Sequence, residues 1–420
     1  MLRRLDFGPM EGKPTLWLLT VLSALMAFAS ISTDLYLPAM PAMAQALHAT
    51  AGTMEWTVSG YLVGFSLGQL VWGPVSDRYG RRLPVSIGLL LFVAGSAGCA
   101  LADSAAALVG WRVLQALGAC ASVVIARAMV RDLFAGDRAA RMMSTLMTVM
   151  AVAPLVGPSV GGLILSVSSW RAIFWVLVVV GLATTAALFT IPETHVAARR
   201  TSESLTASVV RYAALLRDRR LLGYAATGAF FYGAVYAYIA GTPFAYIDYH
   251  RVDPRHYGVL FGAGIAGIMA ANLINARLVG RFGSGRLMRF GAALAAAAGS
   301  VVALDAATDW GGLAGLVVPL FVFASANGFI VANSIAGALG RFPEVAGSVS
   351  ALVGALQYGF GIVGSALVGL FADGTPRPMG FVIAVFCAGS LLAACLGARA
   401  AISQRTDGPR SAPTPAPRAS

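Results

Sequence analysis

The sequence predicts an all-α integral membrane protein, with twelve transmembrane helices arranged as two pseudo-symmetric six-helix bundles. Three observations carry that expectation. Only 11% of the 420 residues are charged and 58% are hydrophobic, against about 25% charged in soluble domains. The apolar residues gather into twelve long runs, and the arginines between them fall almost entirely on one side. So few charges cannot cover a water-facing surface, so lipid must solvate most of this one.

A helix rising 1.5 Å per residue needs roughly 20 apolar residues to span a bilayer. Runs of that size lie at 15–36, 54–75, 83–102, 107–130, 139–165, 170–191, 220–247, 256–279, 287–305, 312–337, 347–371 and 378–399. They are continuous rather than alternating, which argues against a β-barrel. The longest connection, 192–219, is polar and basic, contains Pro192, Glu193 and Thr194, and divides six runs from six. The expected organisation is a cytoplasmic N-terminus (1–14), a first bundle (15–191), a cytoplasmic central loop (192–219), a second bundle (220–400) and a disordered cytoplasmic tail (401–420) rich in Pro, Ser, Arg and Ala. No small-residue cleavage site closes the first run, so it is read as a retained span.

The formal net charge is +12, and Lys13 is the only lysine. With the N-terminus placed inside, the far side holds only Arg171, Arg251, Arg255 and Arg377, Arg112 is left inside a run, and the remaining basic residues fall in cytoplasmic segments or at run ends. This bias predicts both termini in the cytoplasm. The charges are scattered and form no basic stripe, which argues against nucleic-acid binding. Cys99, Cys120, Cys387 and Cys395 lie in apolar runs, without metal-ligand spacing or a disulfide framework. His48, His195, His250 and His256 fall in loops or at run ends, with no His-x-x-x-His or Gly-x-Ser-x-Gly pattern beside them. An enzyme, a metal site and a cofactor are therefore not expected. A channel would be expected to bring a selectivity loop.

The two halves repeat. Gly73-Pro-Val-Ser-Asp77-Arg78-Tyr-Gly80-Arg81-Arg82 follows the second run. Gly280-Arg281-Phe-Gly283 follows the eighth, and one offset separates Arg78 from Arg281 and Gly80 from Gly283. Duplicated bundles with a midplane site are a recurring transporter plan. As plain chemistry, the loop is a glycine turn anchored by arginines at an anionic leaflet. It also resembles the loop-two-to-three signature of the major facilitator superfamily, G-x-x-x-D-R-x-G-R-R. That resemblance implies that Asp77 latches onto the N-terminus of helix eleven near Gly347, an anion–dipole contact of about 0.3–1 kcal/mol. It also implies that Arg81 or Arg82 pairs with Asp132. The second copy has Gly280 in place of the acid, so one latch is expected.

Three further motifs extend the resemblance. In Arg112-Val-Leu-Gln115-Ala-Leu-Gly118, an arginine inside a span costs roughly 2.5–3.5 kcal/mol at the bilayer centre unless it snorkels to the surface. Gln115 follows on the same helix face. The stretch resembles the superfamily's span-four motif, which implies a cavity arginine that takes part in proton coupling. Ala153-Pro154-Leu-Val-Gly157-Pro158-Ser-Val-Gly161-Gly162 combines helix-bending prolines with glycines that admit a close neighbour. It resembles the antiporter signature of drug exporters.

The third, Ser32-Thr33-Asp34-Leu35-Tyr36-Leu37-Pro38-Ala39-Met40-Pro41, places an acid at the end of the first run. On residues alone, Asp34 is either an interfacial acid capping the turn at Pro38 or a functional carboxylate. With the span-five motif, the stretch resembles the bicyclomycin- and chloramphenicol-resistance exporters (the Bcr/CflA family), which are twelve-span drug:proton antiporters of the bacterial inner membrane. The match runs from Ile31 to Thr194 and continues more weakly to Phe342–Ser348. It implies that Asp34 carries the proton with Arg112 beside it, that protons are the coupling ion in place of any cofactor, and that a monomer exports small drug-like molecules. A rival is the export of a natural metabolite, such as an amino acid or its derivative. Met26 stands where a related branch carries a second acid, so a two-carboxylate relay is not expected. Candidate cavity walls are Tyr61, Gln69, Gln115, Met150, Phe231, Tyr232, Tyr236, Asn333 and Gln357, each of which could equally be packing.

Overall fold

The computed structural model describes residues 16–134, 136–195, 205–340, 342 and 345–406. The described residues are helical throughout apart from turns. The first half comprises α1 (Leu16–Asp34), α2 (Ala51–Tyr79), α3 (Arg82–Leu101), α4 (Ala105–Leu133), α5 (Gly136–Val167) and α6 (Trp170–Leu188). The second comprises α7 (Arg219–Pro243), α8 (Pro254–Phe282), α9 (Ser284–Thr308), α10 (Gly312–Leu339), α11 (Ala346–Leu370) and α12 (Arg377–Thr406). A short helix, Leu205–Leu215, lies in the central connection.

Ten of these helices are long and apolar enough to cross a membrane; α2 and α7 are not among them. Those two are more polar because of where they stand. α2 packs against α11 across the junction of the halves, and α7 packs against both α11 and α12. Lipid does not face such positions, so Ser59, Ser66, Gln69, Tyr232 and Tyr236 are tolerated there.

The two copies of the loop signature adopt one shape. Gly80 (φ 90°) closes α2 and Gly283 (φ 79°) closes α8, each donating its N–H four residues back, to Ser76 and Val279. Only a residue without a Cβ takes that backbone cheaply. One expectation needs correction here: Gly73–Tyr79 is not a turn but the last two turns of α2, and the chain reverses only at Gly80. Likewise, α12 continues to Thr406, into the segment expected to be disordered; the rest of that tail, the 1–14 segment and part of the central loop lie outside the described residues.

The halves meet differently at their two ends. At the end away from the arginine loops, a Cβ on Gly52 would lie 2.3 Å from the Gly369 carbonyl, and one on Gly162 would lie 2.6 Å from that of Pro254. Ser59 and Ser365 touch at 2.8 Å. At the arginine-rich end a cavity of about 420 Å³ separates the halves, with Gly73, Asp77, Arg127 and Arg131 on one wall and Gly347, Ser348 and Ala351 on the other. The molecule is therefore sealed at one end and open at the other.

Candidate functional site

α1 ends at Asp34 because Pro38 and Pro41 follow, and the chain turns through Leu37–Ala39 into the short helix Met40–Ala46. This broken end is held from both sides by α4 and α5. Arg112 is completely buried, which excludes a snorkelling anchor. Its Nη1 donates to the Ser32 carbonyl (2.9 Å) and to Gln115 Oε1 (2.5 Å), and Gln115 Nε2 donates onward to Ser96 Oγ (2.8 Å). The guanidinium lies between two rings, 4.2 Å from the centroid of Tyr36 and 4.3 Å from that of Tyr61. A desolvated cation–π contact is worth about 2 kcal/mol. The Tyr36 and Tyr61 hydroxyls are fixed in turn by Thr57 (3.0 Å) and Ser32 (2.6 Å). Nε and Nη2 of Arg112 are buried without a hydrogen-bond partner.

Asp34 is 5% exposed, so it faces neither lipid nor open water. It lies within electrostatic range of Arg112, but no described cation forms a direct ion pair with it. The arginine thus grips α1 at Ser32 and Tyr36, two residues to either side of the acid. α5 backs onto the same point. A Cβ on Gly157 would sit 3.3 Å from the Asp34 Cβ, and one on Gly161 would sit 1.8 Å from the Leu35 carbonyl. The glycines of the span-five motif therefore let α5 close on the end of α1 that carries the acid. Gly162 faces the other way, onto α8. Pro154 and Pro158 lie within the same continuous helix.

Five rings lead from this pocket across the junction. Tyr61 stacks near Phe65 (6.1 Å), Phe65 meets Tyr358 of α11 (4.6 Å), and Tyr358 meets Tyr232 (5.9 Å) and Tyr236 (6.0 Å) of α7. Of the expected wall residues, Tyr61, Tyr232 and Tyr236 belong to this chain, and Gln69 lines the open cavity. Met150 is half-buried against the core.

The other wall candidates stand away from this ring series. Gln115 has both ends of its amide engaged, so it positions Arg112. Phe231 is fully buried against Phe323 of α10, about 100° around α7 from the face that Tyr232 and Tyr236 share. Asn333 donates to Asn275 Oδ1 (2.7 Å) inside the second half. Gln357 is buried beside Gly228 of α7.

The latch residues form a separate cluster. Arg81 is buried and donates from Nε to Asp132 Oδ2 (2.8 Å) and from Nη1 to Asp77 Oδ1 (2.5 Å) and Ser76 Oγ (2.8 Å). Burial works against its charge, but the Asp132 and Asp77 carboxylates prevail and raise its pKa above the ordinary arginine value. Asp77 is half-exposed and turned to Arg81, while Gly347 stands on the opposite cavity wall. Arg82 turns instead to the Phe189 carbonyl (2.7 Å) and ring, and Arg78 is exposed.

Sequence reasoning missed Glu193, whose carboxylate accepts from the N–H groups of Arg81 (2.8 Å) and Arg82 (2.9 Å) at the start of α3. It also missed Tyr36 and Arg127; Arg127 lines the cavity with its Nε unbonded. Arg81→Ala would leave Asp132 with only Thr194 (3.3 Å) and His195 (3.8 Å) beside it and is expected to cost roughly 1–3 kcal/mol of stability, read as a lowered unfolding midpoint of the purified protein.

Residues 20–366 match the family model described as Major Facilitator Superfamily. An MFS-type transporter of Bacillus subtilis, YdgK, is 36% identical over 377 residues, 89% of this chain and 93% of that one. A bicyclomycin resistance protein homolog of Haemophilus influenzae is 29% identical over 91% of this chain and 96% of its own. The chloramphenicol resistance protein of Pseudomonas aeruginosa is 31% identical over 87% of this chain and 86% of its own. Among solved structures, the xylose transporter XylE of E. coli, in a partially occluded inward open conformation, covers 91% of this chain and 97% of its own at a TM-score of 0.71 and 16% identity. That likeness bears on the fold alone.

Proposed function

Because the chain belongs to the Major Facilitator Superfamily, in its bicyclomycin- and chloramphenicol-resistance branch, and is a multi-pass membrane transporter rather than an enzyme, we propose that it exports small drug-like molecules across the bacterial inner membrane in exchange for protons. The cargo class is that of bicyclomycin, chloramphenicol and sulfonamides, and both termini lie in the cytoplasm. The observation that carries the reading is a buried acid, Asp34, set between a buried arginine and the glycines of the span-five motif. Proton and cargo compete through Arg112. With Asp34 ionised, its charge offsets the guanidinium. A proton on Asp34 removes that offset and leaves the unbonded Nε and Nη2 as donors to be satisfied by rearrangement of the broken end of α1. The open cavity then faces the cytoplasm, and rocking of the halves carries cargo to the periplasm.

A susceptibility panel on overexpressing cells, followed by flux in proteoliposomes under an imposed ΔpH, tests this. Resistance to at least one drug of these types is expected to rise several-fold, and the gradient to accelerate its movement. Flux indifferent to ΔpH contradicts it.

One observation favours a second cargo. Arg127, Arg131 and Arg211 line the cytoplasmic cavity, a setting suited to the carboxylate of an amino acid or its derivative. Competition by such acids, and not by neutral drugs, is the result expected of that reading.

A further inference from the structure

One buried acid takes no part in the site described above. Glu55 lies in the first turns of α2, 3% exposed, and its Oε2 has no hydrogen-bond partner. It sits in the sealed seam, the periplasmic end in the orientation proposed above. A Cβ on Gly369 of α11 would lie 3.4 Å from the Glu55 Cβ and 2.9 Å from the Gly52 carbonyl oxygen, so α2 and α11 pack closely here. A cavity of about 20 Å³, of one-water size and too small for cargo, joins Glu55 to Gly241 and Phe244 at the end of α7 and to Pro376 and Met379 at the start of α12.

Among the described residues of these elements, no charged group is paired with the carboxylate. Asp373 accepts from the Thr375 N–H and hydroxyl, and Arg377 donates to the Ala307 carbonyl. Asp248, beyond α7, interacts with Arg251. An ionised carboxylate in such a place, almost wholly buried and without a charged partner, costs several kcal/mol. When the halves part at this end, the same group meets water and bears its charge freely.

We propose that Glu55 is a second proton-binding site, built into the periplasmic gate: the seam closes over it only when it carries a proton, and parts as the proton leaves. Asp34 then exchanges its proton against cargo, while Glu55 couples gate closure to the periplasmic proton. An acidic periplasm thereby favours return of the emptied carrier to the cytoplasm-facing state. The inference rests on the proposed orientation and alternating access, but not on which cargo moves.

The test reads the gate directly, without cargo. Spin labels on Ala106→Cys and Ala314→Cys, exposed sites at the far ends of α4 and α10, report the separation of the halves in the full-length protein reconstituted in liposomes. The parent is expected to show the short distance at pH 5 and a growing long-distance population towards pH 9. Glu55→Gln is expected to hold the short distance throughout, lowering the open population at pH 9 several-fold. Glu55→Asp, which keeps a titrating group, is expected to keep the pH response. A Glu55→Gln protein that opens with pH as the parent does overturns the proposal, and so does a parent whose distances ignore pH. Loss of ΔpH-driven flux together with an intact gate titration would instead count against the antiport reading alone.

Discussion

Replacing Arg112 with leucine is expected to leave a folded, inserted protein whose transport falls roughly 100-fold or more. Leucine removes a buried charge that carries two unbonded donors, which is favourable, and strands the Ser32 carbonyl and Gln115 Oε1, which costs about 1–3 kcal/mol each. The ring contacts at Tyr36 and Tyr61 are lost as well, about 2 kcal/mol each, so a net loss of stability short of unfolding is expected. Transport loses more. The broken end of α1 loses the bond at Ser32 and the ring contact at Tyr36, and each 1.4 kcal/mol lost from the rate-limiting arrangement is tenfold in rate. Arg112→Lys is expected to fail nearly as badly. A lysine ammonium cannot lie flat between two rings and reach Gln115 as well. Parallel measurement of membrane content and of ΔpH-driven flux separates the two effects. A leucine variant transporting at half the parent rate would contradict the assignment.

Gly161→Ala is the second large effect. The added carbon would lie 1.8 Å from the Leu35 carbonyl oxygen, where contacts below 3.0 Å do not occur. Backbone faces backbone, so α5 and the end of α1 must part by more than an ångström. Overpacking of this kind costs about 1–3 kcal/mol, and a 1 Å misplacement of a reacting group costs on the order of 100-fold in rate. Gly110→Ala is the control, because nothing stands within 4 Å of its added carbon. The alanine at 161 is expected to cut flux by one to two orders of magnitude, and the alanine at 110 to leave it unchanged.

The helices were legible because lipid leaves few options: twelve continuous runs and one-sided arginines admit little besides this architecture. The repeat was legible in Gly80 and Gly283, whose positive φ only glycine adopts cheaply. The site was legible where a residue violates its surroundings, as Asp34 and Arg112 do in apolar runs. It was less legible where the residue type suits both packing and function. Phe231 and Tyr232 are adjacent aromatics, and only the rotation of α7 decides that one faces the core and the other the junction. Asn333 is polar in an apolar run for a different reason, since it pairs with Asn275 within its own bundle. Glu193 escaped because its role depends on meeting the start of α3 from a distant loop, which no local pattern encodes. The length of α2 was less legible because the glycine-bearing motif that reads as a turn contains residues that continue the helix to Tyr79.

The most direct measurement is of Asp34→Asn in proteoliposomes, with flux recorded both under an imposed ΔpH and as exchange of labelled against unlabelled drug at equal pH. Asparagine keeps the shape and removes the proton-binding group. The expected result is loss of ΔpH-driven concentration of drug against its gradient, while exchange at equal pH persists near the parent rate. An Asp34→Asn protein that still concentrates drug against its gradient when ΔpH is applied would contradict the account.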